Sequence, residues 1–445
     1  MTTETFRNLR GKKILFASVP GDGHVNPLTG IAMQLMATGC EVAWYTSEIY
    51  IPKFKKLGIK QYTFKHAKDV NAINMDQVLP ERKNITDLIE KINFDMINVF
   101  ISRAPEYLQD ITEIRKEFEF DLVVCDSMFS AIPLIKSEIK VPVIAIGIIP
   151  LAEESIDLAP NGTGLLPSEN QDELDIYQKI REELSKVVFK PAIEMYSQIL
   201  DSYSITHKKA LMTDVLIRQA DLYLQIGTPS FEYTRSDMGK NIRFIGGLTP
   251  YSNLNKLSWF DKRILSYTSV VLVTQGTVEK DTKKLIEPTI EAFKDTNTLL
   301  IVTTGGTNTN NLRSRYPQDN IIIEDFIPFD SLMPHIDAYV SNGGYGGTIM
   351  SIINNVPIVA AGVHEGKNEV CARIGYFKIG INLNTETPSP AAINNAVKQV
   401  LSNSNYKKNV RALNKEMGQY NPIELAVGYI QELLQHSSAT AATYW

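Results

Sequence analysis

"KILFASVPGDGHVNPLTGIAMQLMATGCEVAWYT", Lys13 to Thr46, runs from an apolar stretch through a glycine-rich turn into a helical pattern, then back to an apolar stretch. The run Lys13–Val19 is apolar at nearly every position, as a strand covered on both faces must be. Leu28, Ile31, Ala32, Leu35 and Met36 recur at one helical face, and Gly39 suits the residue just past a helix end. "EVAWYT" then reads as a second strand. Strand, helix, strand within 34 residues predicts a parallel β-α-β unit, so the chain opens as an α/β protein. The turn itself, "VPGDGHVNP", is neither of two familiar phosphate loops. Asn26 stands where a dinucleotide fingerprint needs its third glycine, and no Gly-Lys-Ser/Thr follows. Asn26 is the expected helix cap, with Pro27 in the first turn. His24 is then carried at the carboxyl end of the first strand, where ligands of parallel sheets bind. Imidazole is also the side chain suited to general-base chemistry near neutral pH.

Working outward, "DLVVCD" and "VPVIAIG" continue the first series of strands. "VVLVTQ", "LLIVTT", "NIIIEDF", "AYVSN" and "PIVAAG" form a second series beginning near Ser269. A length of 445 residues exceeds what one core organises, which fits two such units. The expected division is 1–245, a Gly/Ser/Asn-rich linker 246–258, a second unit 259–421, and a last helix 422–445 packing back on the first unit through Leu425, Tyr429, Glu432 and Leu433. Two irregular insertions, roughly 65–115 and 150–215, are rich in Phe, Met, Tyr and Ile and suggest an apolar pocket, with Phe94, Phe100 and Phe129 as candidate contacts. Net charge is −5 and no basic run stands out, which argues against a nucleic-acid partner. The longest apolar segment holds two prolines and is too short to span a bilayer. Three separated cysteines without C-x-x-C spacing suggest a reducing compartment and no zinc site, hence a cytoplasmic protein.

Three stretches go further than fold class. The opening motif is one; "VSNGGYGGTIMSIINNVPIVAAG", Val340–Gly362, is the second; "IGIIPLAEESIDLAPNGTGLLP" from Ile146 is the third. Together they resemble the inverting, nucleotide-sugar-dependent glycosyltransferases of family 1, in particular bacterial macrolide-type members. The resemblance implies the GT-B fold, two Rossmann-like doubly wound parallel sheets facing each other across a cleft. It implies transfer of a sugar from a UDP- or TDP-linked donor, UDP-glucose first among them, to a hydroxyl of a polyketide, flavonoid or terpenoid-like acceptor. The matching residues make His24 the base that deprotonates the acceptor and Asp126 its orienting partner. Gly276 and Thr277 match a donor-facing loop; Phe326 would stack on the nucleobase while the backbone of Ile327 reads its edge. Asn342, Gly343, Gly344, Gly346, Gly347 and Thr348 match the diphosphate-binding turn into a helix. No cofactor and no metal is implied: there is no Asp-x-Asp triplet to hold one, and a helix N-terminus can take the leaving diphosphate instead. A monomer or homodimer is expected, with the small-molecule acceptor and the nucleotide sugar as its ligands.

The match departs from the family at the donor side. Asn342 replaces a histidine, Met350 a ribose-gripping glutamate, and Gly366 and Lys367 stand on the acidic-Gln pair that reads the sugar, with Glu365 displaced by one. Glu365 and Lys367 are the candidate replacements. Without the resemblance, Asp126 is equally a helix cap, Phe326 a core residue, and Glu365–Lys367 a solvated pair. Two other activities share such an architecture: a nucleotide-sugar 2-epimerase, and a non-catalytic accessory protein.

Overall fold

The computed structural model describes residues 9–251, 259–364 and 366–442, with side chains up to Gln435. Residues 252–258 of the expected linker, and Glu365, lie outside the described residues.

The first sheet holds β1 (Lys13–Ala17), β2 (Glu41–Tyr45), β3 (Lys60–Tyr62), β4 (Leu122–Asp126), β5 (Val143–Gly147), β6 (Leu222–Gln225) and β7 (Ile242–Phe244). Their spatial order is β3-β2-β1-β4-β5-β6-β7, every pairing parallel. The second sheet holds β8 (Ser269–Thr274), β9 (Thr298–Thr303), β10 (Ile321–Glu324), β11 (Ala338–Ser341), β12 (Ile358–Ala360) and β13 (Gly380–Asn382). Its order is β10-β9-β8-β11-β12-β13, again all parallel. Each sheet reverses its winding once, between β1 and β4 in the first and between β8 and β11 in the second. A crevice opens there at the carboxyl edge of a doubly wound sheet.

The central strands of both sheets are buried on both faces, which is why they read as continuous apolar runs rather than alternating ones; the short strands β3, β7 and β13 are only partly covered. Trp44 shows how one strand position is used: its ring stacks on Phe16 at 4.9 Å and meets Phe54 at 4.6 Å, while its indole N–H donates to Ser18 Oγ at 2.9 Å. The expected helix spans Thr29–Ala37 and buries Ile31, Ala32 and Leu35. Its cap differs from expectation. A separate turn, Asp22–Val25, precedes it; Asn26 closes that turn, Leu28 takes the cap position, and Asn26 Oδ1 accepts from Lys53. Asn26 is drawn off because His24 and its neighbours already form helical turns before Pro27.

The chain leaving the first sheet is pinned beyond the ends of β6 and β7, and the last helix returns to that sheet's side. Gly227 and Gly246 exchange both backbone hydrogen bonds, at 2.8 and 2.9 Å. The final helix, Pro422–Ala442, lies against the helix Thr29–Ala37, with Ile423 approaching Gly30. Its buried stripe is Ala426, Val427, Ile430 and Leu434, whereas Leu425, Tyr429 and Leu433 are half-buried and Glu432 is exposed. The expected face is therefore turned by about one residue.

Candidate active site

His24 projects from the turn after β1, and Asp126 is the last residue of β4, so the winding reversal of the first sheet brings them together. His24 Nδ1 lies 2.8 Å from Asp126 Oδ1. The imidazole is about a quarter exposed and the carboxylate is fully buried. Asp126 is held rigidly: Oδ2 accepts from Val19 N at 2.8 Å, and Oδ1 also accepts from Met128 N at 2.9 Å. An acceptor-only carboxylate at Nδ1 requires the proton on that nitrogen, which leaves the Nε2 lone pair directed away from the aspartate. This is the tautomer a base needs to take a proton from a hydroxyl.

Phe94 and Phe100 are half-buried beside Val70, Leu79 and Val99 at the edge of the first insertion. Phe100 ends a π-helical turn, Met96–Phe100, and its carbonyl accepts from Ser130 Oγ at 2.7 Å. Phe129 corrects the expectation. It is fully buried, stacked on Tyr107 at 4.7 Å and edge-on to Tyr45. A side chain with no accessible surface cannot touch an acceptor without repacking that aromatic cluster, so Phe129 is a core residue.

The second sheet's reversal gathers the donor-side candidates. Gly276 and Thr277 follow β8, and Asn342 through Thr348 follow β11. Asn342 Nδ2 donates to the Gln275 carbonyl at 2.6 Å, tying the two loops and committing one of its amide hydrogens. The helix Tyr345–Ile353 starts after Gly344 with no side-chain cap, so the N–H groups of its first turn have no side-chain acceptor. Gly344 and Gly346 are exposed, and a Cβ at either would meet nothing closer than 4.0 Å. Bare N–H groups, a helix dipole and open approach make an anion site. Gly343 serves a different purpose: its Cβ would fall 2.5 Å from Cys371 Sγ, and its φ is +84°. Thr348 is buried and bonds Gly344 O, and Gly347 abuts the Tyr339 hydroxyl, so both shape the turn from behind.

Phe326 is 66% exposed in the loop after β10. So large an aromatic left in the open is no core residue, and its ring lies beside Gly306 of the loop after β9. Ile327 is buried, leaving only its backbone for edge contacts. Lys367 begins the helix Lys367–Tyr376 and its charge helps hold down the Glu279 carboxyl; burial raises that group, but the hydrogen bond from Lys284 and the surrounding cations outweigh it. Glu386, absent from the sequence reading, accepts from Val363 N at 2.7 Å and His364 N at 3.1 Å and so fixes the segment leading to Lys367. Tyr345 was likewise missed. Its hydroxyl donates to Ile226 O at 2.6 Å, reaching from the donor-side helix to the end of β6, and burial pushes it well above its ordinary pKa. Neither residue has a sequence signature, since each acts through a backbone partner more than a hundred, or some twenty, positions away.

A family model described as UDP-glucoronosyl and UDP-glucosyl transferase matches residues 14–442. The 4'-demethylrebeccamycin synthase of Lentzea aerocolonigenes is 29% identical over 95% of this chain and 100% of its own length. UDP-glucosyltransferase 1 of Beauveria bassiana (strain ARSEF 2860) is 29% identical over 91% of each chain. Among solved structures, the glycotransferase of kitacinnamycin superposes with a TM-score of 0.74 at 17% identity, covering 96% of this chain and 100% of that one. That likeness shows the fold to be GT-B, as the motifs implied. No described helix is long and apolar enough to cross a membrane.

Proposed function

The chain belongs to the UDP-glucoronosyl and UDP-glucosyl transferase family and is a glycosyltransferase, and from that premise we propose that it transfers a sugar, with inversion, to a hydroxyl of an apolar small molecule. The observation that carries the proposal is the His24–Asp126 pair at the edge of one sheet, paired with an uncapped, glycine-lined helix start at the edge of the other. In the proposed step His24 Nε2 takes the acceptor proton as the hydroxyl oxygen bonds to the anomeric carbon. The bond from that carbon to the β-phosphate oxygen breaks, and the nucleoside diphosphate leaves with the electron pair. Asp126 holds the tautomer and stabilises the imidazolium. Inversion follows from a single displacement. The carboxylate nearest the base is fully buried and accepts bonds from Val19 N, Met128 N and His24, which leaves it unable to act as a nucleophile on a sugar.

The donor is a nucleotide sugar seated on the Tyr345 helix, with Phe326 against the base and Lys367 toward the sugar. UDP-glucose is the first candidate, and thymidine diphosphate sugars are the alternative. The acceptor is a natural product with an apolar body, in keeping with the relatives named for rebeccamycin and kitacinnamycin and with the half-buried Phe94 and Phe100. The halves divide the work, the first holding acceptor and the second holding donor. The test is release of nucleoside diphosphate from UDP-glucose and TDP-glucose with and without a panel of aromatic and macrolide alcohols, with the anomeric configuration of the product read by NMR. Acceptor-dependent release and a β-linked product from an α-donor are expected. Sugar isomerisation without acceptor would point to an epimerase, and silence with every donor to an accessory role.

A further inference from the structure

The segment Leu151–Leu165 leaves the carboxyl edge of β5, beside the strand that ends in Asp126, and is bound to one helix of the other half, directly at its far end and through Glu232 at its near end. Glu369 Oε1 accepts from Gly162 N and Gly164 N, each at 2.9 Å. Positive φ at both glycines, +91° and +67°, turns these two amides to the same side, the geometry of an anion nest. Asn368 Nδ2 donates to Gly162 O at 2.7 Å. The other carboxylate oxygen of Glu369 accepts from Arg373 Nη1 at 2.9 Å, one helical turn on. Arg373, only 2% exposed, lies 4.2 Å over the Tyr233 ring and donates through Nε, at 3.0 Å, and Nη2 to Glu232 of the first half. Glu232 Oε2 in turn accepts from Leu151 N at 3.0 Å. A carboxylate–guanidinium–carboxylate chain thus fastens the segment to the helix Lys367–Tyr376, whose first residue is the candidate sugar contact.

We propose that Glu369 is a positioning residue that couples seating of the donor nucleotide to the order of segment 159–165 on the acceptor side. The proposal rests on the transferase reading for the place of the donor alone. The helix moves as one body, so whatever the donor fixes at Lys367 it also fixes two residues later at Glu369. The Gly162–Gly164 turn is itself half in solvent, and its inward amides find their partner only on that helix. A carboxylate is needed because both its oxygens are used: a glutamine of the same size offers one acceptor and must forsake either the nest or Arg373.

Hydrogen exchange across residues 159–166, measured without acceptor and with or without saturating UDP-glucose or TDP-glucose, tests the coupling directly. In the native chain the sugar donor should slow exchange at Gly162 and Gly164 by about tenfold, a size usual for coupled sites. Glu369→Gln should abolish that response, and should raise acceptor KM about tenfold with donor KM little changed, a split that a general loss of stability does not produce. Asn368→Ala, on the partly exposed side of the helix, should fold normally and weaken the response in part. No slowing by either sugar donor in the native chain, or the native response retained in Glu369→Gln, overturns the coupling. Native exchange behaviour as expected, with no transfer to any acceptor, would instead overturn the transferase reading and leave the coupling standing.

Discussion

At the residue scale the site turns on His24. A positioned base contributes roughly 10²–10⁴-fold, so His24→Ala should lower turnover on an alcohol by about that factor while donor KM stays nearly unchanged. Asp126→Asn presents an amide N–H toward Nδ1 and favours the wrong tautomer; steady-state rates should fall almost as far, with thermal stability lowered as well because Val19 N and Met128 N lose a charged acceptor. An acidic phenol should be spared relative to an alcohol in both variants, since less proton removal is required. Full activity in His24→Ala would remove the pair from the mechanism. Asn342 offers a second test. Its amide holds the Gln275 carbonyl, a neutral bond worth about 0.5–1.5 kcal/mol, so Asn342→Ala should raise donor KM by about tenfold or less. Asn342→Asp should be worse, setting a carboxylate against both that carbonyl and the diphosphate; equal effects of the two would show that the side chain does not face the donor. This pair of residues was legible in sequence to different degrees. His24 follows a strand end, where position alone places it at the carboxyl edge of the sheet, whereas Asp126 was its partner only through the resemblance, being equally a helix cap without it. The commitment of Asn342 to a neighbouring loop, and the burial of Phe129, depend on packing between elements far apart in sequence.

At the element scale the turn "NGGYGGT" combines two kinds of glycine that sequence cannot separate. Gly343 is required for packing: a side chain there would strike Cys371, and its φ is one that other residues seldom adopt. Gly344 has open space and ordinary backbone angles, so nothing in the folded chain forbids a larger residue. Gly343→Ala should therefore lower the unfolding midpoint, seen by calorimetry, whereas Gly344→Val should fold with little change and lose donor binding by steric exclusion of the phosphate. A Gly344→Val enzyme with native donor KM would move the diphosphate off this helix start. The same element predicts metal independence. With N–H groups and a helix dipole to receive the leaving group, and no Asp-x-Asp triplet in the chain, EDTA should leave most activity; loss on chelation with rescue by magnesium or manganese would contradict this. The long apolar strands were readable because both of their faces are covered. β3, β6, β7 and β13 were not, since runs of three or four residues interrupted by Lys, Gln, Arg or Asn carry no such signal, whereas the equally short Ile358–Ala360 is wholly apolar and buried.

At the scale of the whole molecule, composition suggested slack where the structure has a joint. The stretch from Gly246 reads as linker because Gly, Ser and Asn are common in flexible segments, yet its first residues are among the most constrained in the chain. Gly246 bonds Gly227 in both directions, has φ +83°, and would place a Cβ 2.4 Å from Tyr420 Cβ. Gly247 lies against Ile353 and Met417, and Tyr345 reaches over the same joint to Ile226. The two sheets, the donor-side helix and the chain leading into the final helix therefore meet around one glycine pair. Gly246→Ala should act on all of them: the backbone strain costs about 1 kcal/mol or more, and the clash must move Tyr420 and with it the approach to the helix that straps the first half. Global stability in denaturant should fall by about 2–4 kcal/mol, the range of packing and backbone lesions together. Because Gly246 touches neither donor nor acceptor candidates, kcat should fall through misplaced halves, while the ratio of rates with UDP-glucose and TDP-glucose stays as in the native enzyme. A changed donor ratio would mean that the joint shapes the nucleotide site itself. Unchanged stability and rate would mean that Tyr420 can swing aside freely, leaving the halves to be aligned by the Glu369–Arg373 chain alone.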